Sequence, residues 1–452
     1  MEEGNQQELK RSLKNRHVQL ISLGGAIGTG LFLGSGKTIQ LAGPSILFAY
    51  LITGAICFFI MRALGELLLS NLKHGSFLDF IKDYFGDKHT FFFGWTYWFC
   101  WISLAMTDLT ATGIYIRYWF PNVPHWLPPL ITLIILLGLN LTSVQIFGEL
   151  EFWFALIKVI AILSLIGFGI FMLVTRFKIH GNVASVSNLW KHGGLFPKGF
   201  KGFFLSFQLV TFSFVGIEVV GLISGETKDP KKVIPKAINS IPFRIILFYV
   251  LALLVIMTIY PWNNINAEKS PFVEVFSDFG ILMAASIINF VVLTAAASAC
   301  NSCIYSTSRM TYSLAEKGIA SKRHAKLNKK QVPCYSIFFS SAVICIIVLV
   351  NYLIPSHVFE IVSSISTICF LYIWTMLVWA HMRYRKRVGQ QANSEFKMPF
   401  YPISSYLVYF FMTFILIVMF FVPETRIALF FTPLWFIGIA IAYWWKFKKH
   451  SH

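Results

Sequence analysis

Gly24-Gly25-Ala26-Ile27-Gly28-Thr29-Gly30 and Phe212-Ser213-Phe214-Val215-Gly216-Ile217-Glu218 decide how this chain folds. Each stretch lies inside an apolar run long enough to cross a bilayer. The four glycines of the first lower helix stability by roughly 1 kcal/mol each relative to alanine. The second puts a glycine and an acid at mid-membrane. Irregular backbone at that depth survives only where it is buried in protein or lines a cavity. Glycine for close helix packing is the simpler account of the glycines taken alone. The two stretches, five apolar runs apart, also fit two five-helix repeats of inverted topology whose broken helices face each other at the midplane.

The rest of the chain supplies the frame for those breaks. Of 452 residues, 56% are hydrophobic and only 13% charged, whereas a soluble domain carries about a quarter charged residues. There is too little polar surface to cover a water-soluble particle of this size. Apolar runs occupy 18–38, 44–70, 91–119, 127–146, 151–175, 200–225, 237–261, 278–311, 334–353, 357–382, 402–422 and 427–447. At about 20 residues per span, these predict an all-α membrane protein of about twelve transmembrane helices. The expected organisation is a cytoplasmic tail over residues 1–17, a membrane domain over 18–447 and a second cytoplasmic tail over 448–452.

The formal charge of +18 sets topology and does not mark a nucleic-acid surface. Lysine and arginine concentrate on one side of the predicted spans, the side of the amino terminus, as expected for cytoplasmic loops. Lys228, Lys231, Lys232 and Lys236 fall in one such loop, Lys317 to Lys330 crowd another, and Arg383 to Arg387 a third. The outer loop near 176–201, with Arg176, Lys178, Lys191, Lys198 and Lys201, runs against the bias. No small-residue cleavage site follows the first apolar run at the right distance, so it reads as a retained helix and not as a signal peptide.

Motifs of enzymes fail. Gly30 to Thr38 reads GLFLGSGKT, but a phosphate-binding loop needs glycine where Leu31 stands, and no strand precedes it. Gly34-Ser35-Gly36 lacks the spacing of a nucleophile elbow, and no zinc-protease motif occurs. Cys300 and Cys303 share CxxC spacing without a second pair or a histidine partner, so they read as small packing residues and no metal site is expected.

Broken helices have chemistry of their own. A new amino end exposes amide donors suited to a carboxylate, and a new carboxyl end exposes carbonyls suited to an ammonium group. An amino-acid zwitterion presents both. The amides of Thr29 and Gly30 are candidates for the carboxylate, and the carbonyls of Ala26, Phe212 and Val215 for the amine. Glycines 28 and 30 matter because a side chain would stand between backbone and ligand. A valine at Gly28 or Gly30 is therefore expected to remove binding and leave the protein in the membrane.

Ionisable residues within spans are the next signal, since each costs about 2.5–3.5 kcal/mol at the bilayer centre on insertion scales. Arg62 and Glu66, four apart, are expected to pair with each other. Arg244 can snorkel to a nearby membrane face. Asp108, Lys158 and Glu218 are deep, and none has a countercharge one turn away on its own helix. Burial penalises the charged amine of Lys158, so it can exchange a proton, or it can stay charged and pin the first helix through backbone carbonyls. Glu218 is either a proton site or a hold on unwound backbone. Asp108 either approaches the substrate or bonds a neighbouring helix.

Longer blocks carry a resemblance. NRHVQLISLGGAIGTGLFLGSG (Asn15 to Gly36), LAGPS (Leu41 to Ser45), GWTYWFCW (Gly94 to Trp101) and ELEFWFALIKV (Glu149 to Val159) are four of them. FSFVGIEVVGLISGETKDPKKVIPKAINSIPFRI (Phe212 to Ile245) and ASACNSCIYSTSRM (Ala297 to Met310) complete the set. Together they resemble the amino acid transporter family of the amino acid–polyamine–organocation superfamily, over nearly the whole chain. GKTIQLAGPS (Gly36 to Ser45), GELLLSNL (Gly65 to Leu72), Asp108 and EKSPFVEVF (Glu268 to Phe276) resemble most the branch that carries D-serine, D-alanine and glycine. The resemblance implies a LeuT-like fold, two inverted five-helix repeats with broken helices 1 and 6 plus two further helices. It implies uptake of an amino acid with protons as the coupling ion, no other cofactor, and residence in a bacterial inner membrane. It places substrate-binding backbone on Ala26, Gly28, Thr29, Gly30, Phe212 and Val215, a coupling lysine at Lys158 and a gating acid at Glu218. Cys300 and Cys303 stand where smaller residues are usual in that branch, which bears on the substrate. The short tails resemble bacterial members. Another substrate (proline, an aromatic amino acid or γ-aminobutyrate), an exchanger, and an amino-acid sensor of the same fold remain alternatives.

Overall fold

The computed structural model describes residues 27–74, 76–142, 144–179, 182–222, 224, 227, 229–278, 282–353, 358–389 and 396–448. The amino-terminal tail, Gly24, Gly25 and Ala26 lie outside them. Helix occupies all twelve apolar runs. α1 comes in two pieces, Thr29–Phe32 and Gly34–Ala42. α2 (Ile46–Ser70), α3 (Phe77–Arg117), α4 (Leu127–Asn140) and α5 (Val144–Thr175) follow. α6 is again in two pieces, Gly199–Phe212 and Val219–Leu222. The series ends with α7 (Pro230–Ile259), α8 (Leu282–Glu316), α9 (Cys334–Leu353), α10 (Val358–Val388), α11 (Ile403–Phe421) and α12 (Pro423–Lys448). Among the described residues nine helical stretches are long and apolar enough to cross a membrane. The number is below twelve because α1 runs on into α2 as one stretch, α4 is short, and α6 is interrupted.

Helical periodicity sorts each span into a buried and a lipid-facing side. On α5, Glu151, Ala155, Lys158, Ile162 and Leu165 are buried, while Trp153, Ile160, Leu163, Ile170 and Val174 are exposed. The buried set recurs at intervals of three and four, one face of a helix. Hydrophobic attraction between spans is weak where the solvent is itself apolar, so packing and interhelical polar bonds hold them. α3 lies along α8 and α10 and receives several such bonds. Asn289 of α8 donates to the Tyr115 carbonyl (2.8 Å), Asn351 of α9 to Thr110 Oγ1 (3.0 Å), and the Trp98 indole to Ser340 Oγ of α9 (2.9 Å). The loop between α5 and α6 carries the short antiparallel pair Lys178–Ile179 and Asn182–Val183. It is tied to α7 where Asn188 Nδ2 and the Ser185 amide both donate to the Thr258 carbonyl.

The expected pairing of Arg62 with Glu66 is corrected. The buried Glu66 carboxylate turns towards α10, accepting from His381 Nε2 (2.9 Å), Arg385 Nη2 (3.0 Å) and the Met398 amide (2.8 Å). Arg62 donates to Asn239 Oδ1 (2.9 Å) and the Lys397 carbonyl and lies over the Phe396 ring. Spacing on one helix makes the two residues neighbours, but a neighbouring helix and a loop offer each a better-satisfied set of bonds. Glu66→Ala leaves His381 and Arg385 facing an empty, buried position, and breaking such a pair costs about 3–5 kcal/mol. It is expected to lower the melting temperature in detergent micelles far more than Arg62→Ala does. Equal melting temperatures would show that Glu66 is not the anchor.

Candidate functional site: where the two broken helices meet

Gly28 caps the first piece of α1, with no side chain to close it, and its carbonyl accepts from the amides of Leu31 and Phe32 (both 3.2 Å). The amides of Thr29 and Gly30 thus stand at the start of the first described piece of α1. In α6 the helix stops at Phe212, and Gly216 takes φ +94°, a conformation that favours glycine. The Phe212 carbonyl accepts from the Val215 amide at 3.1 Å. The break is braced from two other helices: Tyr249 of α7 donates to the Ser213 carbonyl (3.0 Å), and Tyr50 of α2 lies 3.3 Å from Ser213 Oγ. Tyr249 sits on a π-helical turn, Ile246–Leu251, an irregularity common at functional sites.

The two breaks touch. A Cβ on Gly30 would come within 2.6 Å of Ser213 Cα, whereas one on Gly28 would meet only Ala299 Cβ, at 4.0 Å. The glycines therefore differ: Gly28 faces α8 with room to spare, and Gly30 permits the contact between α1 and α6, which corrects the expectation that a valine at Gly30 would leave the protein intact in the membrane.

Asp108 of α3 is buried beside this contact. Thr29 Oγ1 donates to Asp108 Oδ1 at 2.7 Å, and Cys303 Sγ of α8 lies 3.9 Å from Oδ2. Cys303 therefore borders the site; Cys300 is buried on the same helix. Lys158 is fully buried on α5, within electrostatic reach of both Asp108 and Glu151. Glu151 escaped the sequence reading, which looked one turn away for a countercharge. It lies two turns away, on the same face of α5, and spacing by seven was the signal. It accepts from Ser298 Oγ (2.9 Å) and Asn301 Nδ2 (2.8 Å) of α8, and Asn140 of α4 donates to Asn301 Oδ1 (2.7 Å). Glu218 stands apart from this cluster, just past the α6 break, where Trp374 Nε1 of α10 donates to its Oε2 (3.0 Å). Ala26 lies outside the described residues. No group of three or more histidine, cysteine or acidic side chains suited to a metal occurs among the described residues.

A cavity of about 340 Å³ opens beyond the site, bordered by Leu33, Gly34, Thr110, Phe359, Lys37 and Glu360 among others. Lys37 of α1 and Glu360 of α10 form an ion pair across it at 3.0 Å. Phe359 packs edge-on against Phe212, so one ring separates this cavity from the end of the first piece of α6. His125 borders it too. Burial and the neighbouring Arg117 guanidinium hold that imidazole below its ordinary value, which favours its neutral form.

Broken helices that meet at membrane depth, with buried charges around them, are the architecture of a carrier. The family model for amino acid permeases matches residues 17–452. The chain belongs to the amino acid permease family. It is 62% identical to the amino-acid permease AapA of Bacillus subtilis (strain 168), over 97% of this chain and 96% of that protein. An uncharacterized transporter of the same organism, YdgF, is 61% identical over 99% and 98%. The D-serine/D-alanine/glycine transporter of Escherichia coli (strain K12) is 49% identical over 97% and 94%. The family is one of multi-pass membrane transporters and not of enzymes, and its fold is the LeuT-like arrangement of twelve helices. The amino acid is thus the class of substrate and the bilayer the setting for this permease.

The different surroundings of the two glycines give a direct test. Gly30→Ala drives a methyl group into Ser213 and is expected to cost about 1–3 kcal/mol, seen as poor membrane yield and a lowered melting temperature. Gly28→Ala is expected to fold normally, which leaves Gly28→Val as the cleaner probe of contact between backbone and ligand. Equal yields for the two alanine variants would contradict the packing.

Proposed function

We propose that this permease imports small neutral amino acids, with glycine, D-alanine and D-serine as preferred substrates, by proton symport. Its setting is the bacterial inner membrane, with both termini cytoplasmic. The observation that carries the reading is the contact between Thr29, in the α1 break, and Asp108, beside Lys158. It couples the backbone that would hold a zwitterion to a cluster of titratable groups. The substrate carboxylate is assigned to the amides of Thr29 and Gly30, and the amine to the carbonyls of Phe212 and Val215, with Ala26 as a further acceptor. The resemblance to the branch carrying D-serine, D-alanine and glycine, at 49% identity to a transporter of that name, supports the substrate.

Uptake of radiolabelled glycine into proteoliposomes with an imposed pH gradient tests it, with a panel of D- and L-amino acids as competitors. Uptake that ignores the gradient and needs internal amino acid would make the protein an exchanger. Preference for proline or an aromatic amino acid would overturn the substrate.

Asp108 is proposed to tune the substrate. Asp108→Asn keeps an acceptor for Thr29, so expression should hold while the ratio of competition constants between amino acids moves by about tenfold, or ~1.4 kcal/mol. An unchanged ranking with poor expression would make Asp108 structural.

Lys158 is proposed to couple the proton. Charge on it changes its hold on the groups around the α1 break, and coupling needs such a differential interaction between inward- and outward-facing states. Lys158→Gln keeps length and some hydrogen bonding without titration. It should abolish accumulation driven by the pH gradient. If the glutamine variant concentrates glycine with wild-type pH dependence, Lys158 is structural, and Glu218 becomes the better candidate.

A further inference from the structure

The buried polar groups around Lys158 extend beyond the proposed coupling residue. Glu151 is 2% exposed and Lys158 0%. They are seven residues apart on α5, so their Cα atoms lie on one face about 10 Å apart along the axis. Helical side chains lean towards the amino end, so the long Lys158 side chain runs back in the direction of Glu151, and the two charges interact. The carboxylate is fixed from the other side, because Ser298 and Asn301 both belong to α8 and Asn140 of α4 secures Asn301. The same stretch of α8 presents Cys303 to Asp108. One segment, Ser298 to Cys303, therefore touches both acids that flank Lys158.

The two acids are held by different parts of the protein. Glu151 is tied to side chains of α8, and through Asn301 to α4, not to α1 itself. Asp108 is tied through Thr29 to the broken α1. Lys158 thus interacts with two carboxylates, one anchored on α8 and one attached to the element that would hold substrate. Charge counting adds the second point. Two carboxylates and one ammonium, all ionised, leave one uncompensated negative charge in a buried site, which is costly. One added proton makes the cluster neutral. The titratable groups that act on Glu151 are Lys158 on its own helix and the Cys303 thiol on α8, and both of these also interact with Asp108 on α3.

We infer that Glu151 is a positioning residue of the proton-coupling centre: anchored to α8 by Ser298 and Asn301, it is the fixed countercharge of Lys158, and with Asp108 it forms a cluster that carries one exchangeable proton. The inference rests on the proposed role of Lys158. A proton taken up from one side cancels the surplus charge and leaves on the other, and no other bond changes. With the proton present, Lys158 need not be shared between the acids, and Asp108 is free to follow α1.

The experiment uses the full-length protein in proteoliposomes, with radiolabelled glycine and Glu151→Gln, Glu151→Asp and Lys158→Gln in parallel. Glu151→Gln should retain glycine binding, read as a ligand-induced rise in melting temperature, and lose accumulation driven by the pH gradient. Its residual uptake should show a pH profile moved towards acid by about one unit, the scale on which a nearby charge acts. Glu151→Asp, a shorter acid, should restore part of the accumulation, which a purely structural role of the amide would not explain. Glu151→Gln that accumulates glycine with the wild-type pH profile overturns the inference. If Lys158→Gln is uncoupled at the same time, only the role of Glu151 falls; if Lys158→Gln is unaffected, the lysine assignment falls first. Should Glu151→Gln not reach the membrane, Asn301→Ala removes one donor and keeps the carboxylate, and an unmoved pH profile in that variant overturns the inference equally.

Discussion

A helix that breaks inside a bilayer leaves backbone groups that lipid cannot satisfy, and much of this structure answers that constraint. The Ser213 carbonyl is met by Tyr249 and the Ser213 hydroxyl by Tyr50. Both tyrosines come from helices that would otherwise have no reason to place a hydroxyl at that depth. The α1 break is met from α3, where Asp108 accepts from Thr29. Gly30 lets the two breaks approach until no side chain fits between them. Side chains and close contact thus add to the few local backbone hydrogen bonds that the interrupted elements keep.

Charge follows the same logic. Asp108, Lys158 and Glu151 would each be costly alone in the membrane. Together they share partners on α1, α5 and α8, and the amides and hydroxyls of Asn301 and Ser298 complete the set. Glu66 is treated alike at another site of buried charge, with His381 and Arg385 of α10 and one loop amide around it. In each case the acid is satisfied by residues far away in sequence, so the charges also fix which helices lie side by side.

The frame was legible in the sequence because bilayer thickness turns length and hydropathy into spans. The twelve apolar runs all contain helix, and the glycine-rich stretches at Gly28 to Gly30 and Phe212 to Glu218 mark the breaks. Within the described residues it is the α6 stretch whose break is seen, between Phe212 and Val219; a run of about 20 apolar residues has few alternatives in lipid, and glycine or an acid in such a run is conspicuous. The depth of Asp108, Lys158 and Glu218 was legible for the same reason. Glu151 was overlooked because its partner is two turns along the helix, and a search confined to one turn passes over it.

Which groups meet was settled only by the fold. Four-residue spacing suggested Arg62 with Glu66, and the structure gives Glu66 to α10 and Arg62 to a loop. Gly28 and Gly30 look alike in sequence, yet one faces open space beside Ala299 and the other the Ser213 backbone. The spans, the α6 break and the membrane class could be read from the chain alone, since these depend on each segment's own transfer into lipid. Tertiary structure decided the partner of every buried charge and the separate duties of the two glycines, because hydrogen bonds and contacts between helices are set by three-dimensional packing that no single segment encodes.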